Sequence, residues 1–139
     1  MSHLTVLPPV AYLLAIIAVL ASAASAGAPR RGLWCVPAGF AVLFWVQSLC
    51  AVWNDGLATF WVNQTANMVG NQVWFDLLFV VSIAFFAMAP RVRAQGMPLW
   101  PWAVATVCVA GLALLPMLAR LLYLEERQAR LTKDQPTSL

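Results

Sequence analysis

The sequence predicts an all-α protein, a polytopic antiparallel bundle of four transmembrane helices. Three observations carry that expectation. Four long apolar stretches, at 7–26, 33–53, 73–89 and 99–122, occupy most of the 139 residues. Each is near the ~20 residues that a helix needs to cross a bilayer. None of the eight Lys and Arg lies in the middle of a stretch. Composition agrees: 63% of residues are hydrophobic, 9% are charged, and the mean hydropathy is +0.81. A soluble domain of this size could not hide so much apolar surface.

The first stretch resembles a signal-peptide core, with Ala24-Ser25-Ala26 placed like a cleavage site. The residues before it carry no Lys or Arg, which favours a retained helix. Ala15, Ala18, Ser22 and Ala26 recur at helical spacing and form a small-residue face for a neighbouring helix. A basic turn, Ala28 to Gly32, leads into the second helix, which Pro37 interrupts early. Asn54-Asp55-Gly56 ends that helix with turn-forming residues.

Residues 57–70 form the longest connection. Leu57, Phe60, Trp61, Thr65 and Met68 tend to one face and Asn63, Gln64 and Asn67 to the other. That pattern predicts a short helix lying in the membrane interface. The third helix is expected to end at Pro90, followed by Arg91-Val92-Arg93 and a turn at Gly96 and Pro98. The fourth starts near Trp100-Pro101-Trp102, with a bend expected from Gly111 and Pro116. Residues 1–126 form one membrane domain on this reading, and 127–139 a polar tail.

Six of the seven tryptophans fall near the expected membrane–water boundaries, where an indole suits both media. Trp45 alone falls mid-helix. It packs in the bundle, or touches lipid or a ligand. The net charge of +3 sits in short clusters beside helix ends. Those clusters fit lipid headgroups rather than nucleic acid. Cys35, Cys50, Cys108 and His3 have no metal-ligand spacing, so no metal site is predicted. Arg30, Arg31, Arg91 and Arg93 mark one side of the membrane, favoured as cytoplasmic. Both termini are expected on the opposite side, with the inverted orientation as the alternative, since Arg127, Arg130 and Lys133 lie there.

Four antiparallel spans would gather Tyr12, Asn54, Asn71, Asp76 and Arg120 at the end that carries the termini. Asp76 and Arg120 are expected to pair across the third and fourth helices. An interfacial ion pair explains them structurally. A cavity that holds the polar head of a lipophilic molecule, with Trp45 on its apolar body, explains them functionally. An intramembrane ionisable residue invites the second reading by default.

An ordered series of short motifs spans about residues 54–128. It comprises Asn54-Asp55-Gly56-Leu57, Asn67 through Asp76-Leu77-Leu78, Arg91-Val92-Arg93-Ala94-Gln95-Gly96-Met97, Gly111 to Pro116, and Leu121 to Arg127. The series resembles a family of small bacterial inner-membrane proteins classed as a domain of unknown function. The chain departs from it in the turn, where Ala-Pro replaces an acidic-Gly approach, and at Pro116-Met117-Leu118-Ala119. The resemblance implies a multi-pass bacterial inner-membrane protein and brings no activity with it.

Three function classes follow. The favoured one is a non-catalytic accessory or assembly subunit of a larger membrane complex, or a protein that binds a lipophilic ligand. No cofactor is predicted, although a bound lipid, isoprenoid, quinone or pigment fits this class. The absence of a nucleophile–base pair favours it over catalysis. The alternative is an isomerase-like membrane enzyme acting on an isoprenoid or sterol-like substrate. Asp76 would be its acid–base group and Asn71 and Arg120 would orient substrate. A small transporter is third, because no acid lies near mid-membrane and no inverted repeat is visible.

Overall fold

The computed structural model describes residues 3–24 and 31–133. These form six helices and, among the described residues, no strand. The helices are α1 (His3–Ala24), α2 (Cys35–Asp55), α3 (Leu57–Thr65), α4 (Met68–Ala94), α5 (Leu99–Val109) and α6 (Gly111–Lys133). The chain divides into two units, Met1–Arg31 and Gly32–Leu139. The 25–30 turn, the end of the expected first helix and the tail from 134 lie outside the described residues. So do the side chain of Ser22 and the whole of Ala26, half of the expected small-residue face.

The first unit is α1, a single apolar helix with Pro8 and Pro9 within its second turn. The second unit is organised around α6, which packs against α2, α4 and α5, while α3 packs against α4. Among the described residues α2 and α4 are long and apolar enough to cross a membrane; the apolar stretches Pro8–Ala21 and Leu99–Val109 are shorter. A core helix of a soluble protein would be covered, whereas these two are largely bare. Their exposed residues include Val42, Leu43, Phe79, Val80 and Ile83.

Local chemistry explains the helix boundaries. Pro37 does not interrupt α2. It sits in the first turn, where its missing N–H has no helical partner. Gly56, with φ of +78°, breaks the chain between α2 and α3. The Asn67 side chain caps α4 by accepting the Gly70 N–H at 2.8 Å. At Gly70 the end of α3 comes so close that a Cβ would meet the Asn63 carbonyl oxygen at 2.8 Å. The expected 57–70 helix therefore stops at Thr65, and residues 68–70 already belong to α4.

The third helix does not end at Pro90; it continues to Ala94. A proline costs a helix one donor without forcing it to stop. The following turn closes with Gly96 at φ of +67°. Met97 N–H donates to the Val92 carbonyl and Gly96 N–H to that of Arg93, at 3.1 and 2.9 Å. Met97 and Val92 are both buried beneath this turn. The pattern is a Schellman motif with its apolar contact.

The expected fourth span, 99–122, is not one helix. It breaks at Ala110, which adopts φ of 46° and ψ of −119°. The chain reverses there, and α5 and α6 form a helical hairpin. Reversal is required by the packing. Leu99 and Trp102 at the start of α5 pack on the same core as Met117 and Leu121 of α6. In a continuous helix Leu99 and Leu121 would lie about 33 Å apart. That core, completed by Met88, Val92, Met97 and Leu114, lies entirely at one end of the unit.

Candidate functional site

The hairpin sets the register of everything else. Arg91 near the end of α4 forms a two-pronged ion pair with Glu125 of α6: Nε to Oε1 at 2.9 Å and Nη2 to Oε2 at 2.7 Å. α4 and α6 therefore run in the same direction. α2 runs against α6, since Trp34 meets the Tyr123 ring edge-on at 5.6 Å and Trp45 reaches Leu112. The Gly32 N–H donates to Glu126 Oε2 at 3.0 Å, and Arg130 also bonds to Glu126. Gly32, the 91–98 turn and the C-terminal part of α6 thus meet at one charged end.

This corrects the expected arrangement, which set the C-terminal segment on the side opposite the basic turns. That arrangement required 99–122 to cross once, and the hairpin returns it to where it began. Residues 127–133 are helical and continue α6.

The expected polar cluster is dispersed. Arg120 lies five residues before Glu125, and Asp76 fifteen residues before Arg91. At 1.5 Å per residue this separates them by about 15 Å along the helix axes. The ion pairs among the described residues are Arg91–Glu125 and Arg130–Glu126, so Asp76 and Arg120 do not pair. Both are exposed. Asn54 turns back on its own helix, donating Nδ2 to the Cys50 carbonyl at 2.7 Å. Asn71 lines a shallow groove with Met68, Val69, Gln72 and Phe75, all of α4. Tyr12 is exposed on α1, in the other unit.

Trp45 is exposed at the hairpin tip, where its Nε1–H donates to the Leu112 carbonyl at 3.1 Å. Leu112 lies four residues before Pro116, which has no N–H to offer, so the indole supplies the missing donor. Beside it Phe44 lies so close to Gly111 that a Cβ there would meet the ring at 3.2 Å. The same count of residues puts Asp76 at about the depth of this tip, roughly 22 Å from the charged end. The Leu112 contact was legible only as two separate oddities, a mid-helix tryptophan and a mid-helix proline.

Burial shows how unevenly the second unit is filled. Pro37, Ala41, Met88, Val92, Thr106 and the other buried residues all lie at or near the hairpin. Among the described residues of 42–87 none is buried. At the far end α3 is held to α4 by the edges of Phe60 and Trp61 on Trp74, at 5.4 and 6.2 Å. The distal halves of α2 and α4 are open apolar surfaces beyond the hairpin tip. They include Trp53, 90% exposed, and Met68, 87% exposed.

A second groove, of about 280 Å³, lies at the charged end between the end of α4 and α6. Ala94 and Gln95 form its floor, and Leu124, Arg127, Gln128 and Leu131 its wall. Sequence reasoning missed it, because its two sides were expected on opposite faces of the membrane. No group of three or more His, Cys, Asp or Glu among the described residues could hold a metal ion. Comparison with protein-family models, with curated proteins and with solved structures found no match.

Proposed function

We propose that the chain is a small integral membrane protein with a non-catalytic, binding role. Its open α2 and α4 surface would associate with a helix of a larger membrane complex or with a lipophilic molecule. One observation carries this reading: no described residue of 42–87 is buried, although this segment holds most of the two helices suited to crossing a bilayer. Apolar surface on that scale needs a lipid or protein cover. Trp45 and Asp76 border it at the depth of the hairpin tip. Among the described residues, Asp76 is the acidic side chain at that depth that could recognise a polar head.

In this proposal α2 and α4 span the bilayer, and α5 with the start of α6 forms a hairpin that enters from the charged end and returns. A break inside hydrocarbon is tolerable where protein surrounds it. The Trp45 bond to Leu112 provides for one of the exposed carbonyls. The charged end faces the cytoplasm, because Arg91, Arg93, Arg127 and Arg130 lie there while residues 42–87 contain no Lys or Arg. A bacterial inner membrane and kinship with the small family of unknown function are part of the same proposal.

Co-purification in mild detergent, followed by protein and lipid mass spectrometry, tests the role. A stoichiometric membrane partner or isoprenoid-type lipid is expected, lost when bulky charged residues replace Val42 and Phe79. Recovery of the bare chain alone, with the same yield for those variants, would refute it.

A further inference from the structure

We propose that the groove at the charged end is a binding site for the phosphate headgroup of an anionic phospholipid. The proposal rests on the membrane placement above and goes beyond it, since it concerns the opposite end from the open α2 and α4 surface. Leu124, Arg127, Gln128 and Leu131 recur at i, i+3, i+4 and i+7, so they form one face of α6. Arg120 lies on that same face, two turns closer to the membrane. α6 runs about one and a half turns past the end of α4 at Ala94, and the step between them is the groove.

Charge decides the occupant. Glu125 is taken by Arg91, and Glu126 bonds to both Arg130 and Gly32. Arg127 and Arg120 have no acidic partner among the described residues. Two unpaired guanidinium groups therefore flank Leu124, one at the groove and one able to extend towards it from the hydrocarbon side. A guanidinium bonds a phosphate through two parallel N–H donors, and Gln95 and Gln128 add amide donors beside it. Leu124 suits the start of an acyl chain. The carbonyl end of α4 would repel an anion, but the N–H groups of Gln95, Gly96 and Met97 already bond the carbonyls of Arg91, Arg93 and Val92 there.

The test compares the full chain in nanodiscs of phosphatidylcholine with nanodiscs containing phosphatidylglycerol. Phosphatidylglycerol should raise the thermal unfolding midpoint by a few degrees. Arg127→Gln should abolish that rise while keeping the midpoint in phosphatidylcholine, and Arg120→Gln should reduce it. Arg93→Gln removes a charge at the same end outside the groove and should leave the rise intact. Equal midpoints in the two lipids overturn the site. An equal loss in Arg93→Gln also overturns it, by showing diffuse attraction. A rise produced by inorganic phosphate in phosphatidylcholine discs would overturn the lipid as its source. Failure to enter nanodiscs at all would instead refute the membrane placement.

Discussion

The indole of Trp45 donates to the carbonyl of Leu112, the group that Pro116 leaves without its helical donor. One side chain of α2 thus compensates a backbone defect in α6. With the hairpin tip in lipid, as proposed, losing it leaves a carbonyl unpaired away from water, which costs about 1–3 kcal/mol. Trp45→Phe should lower the unfolding midpoint accordingly. In a Pro116→Ala background, where residue 116 again has an N–H, the same change should cost clearly less. Equal costs in the two backgrounds, measured as a double-mutant cycle, would remove this account.

Ala110 adopts a left-handed φ of 46°, and a conformation so sparsely populated by a residue with a Cβ costs about 1–3 kcal/mol. Ala110→Gly should therefore stabilise the protein, and Ala110→Val destabilise it, when unfolding is followed in detergent. A straight 99–122 helix predicts the reverse order, because glycine would then weaken a helix interior.

Arg91 and Glu125 should be coupled, while Asp76 and Arg120 should not. The first pair is joined by two hydrogen bonds but stays 49% and 30% exposed, so solvent screens it. A cycle of Arg91→Gln and Glu125→Gln should give a coupling of up to about 1 kcal/mol that shrinks as salt is added. The cycle of Asp76→Asn and Arg120→Gln should be additive, since about 15 Å separates the two residues along the bundle.

Topology offers a direct check. In a chain freed of Cys35, Cys50 and Cys108, Gln95→Cys and Gln128→Cys should react with an impermeant thiol reagent from the same side. Ala66→Cys should react from the other. A Gln128 position that labels with Ala66 would restore four simple spans and exclude the hairpin.

Much of the helical skeleton was legible in the sequence because its signals are local. Asn54-Asp55-Gly56 ends α2 since Gly56 accepts a positive φ, and the Gly96 and Pro98 turn follows α4 for the same reason. The all-helical class and the bare apolar faces of α2 and α4 follow from composition and run length. Pro90 was a weaker guide, because a missing N–H penalises a helix only once and tertiary contacts outweighed it at Met88 and Val92.

Tertiary structure alone decided where the fourth apolar run goes. No local rule places a chain reversal on an alanine, and Val109-Ala110-Gly111 reads as uninterrupted helix with one weak glycine. The reversal exists because it lets Met117 and Leu121 reach Val92 and Met97, burying Met117, Leu121 and Val92 completely. From that packing come the meeting of Arg91 with Glu125, the separation of Asp76 from Arg120, and the groove at Arg127. The sequence by itself determined which segments are helical and apolar, as these are properties of short windows. Which charges share an end depended on a long-range reversal, and that is set by core packing between residues far apart in the chain.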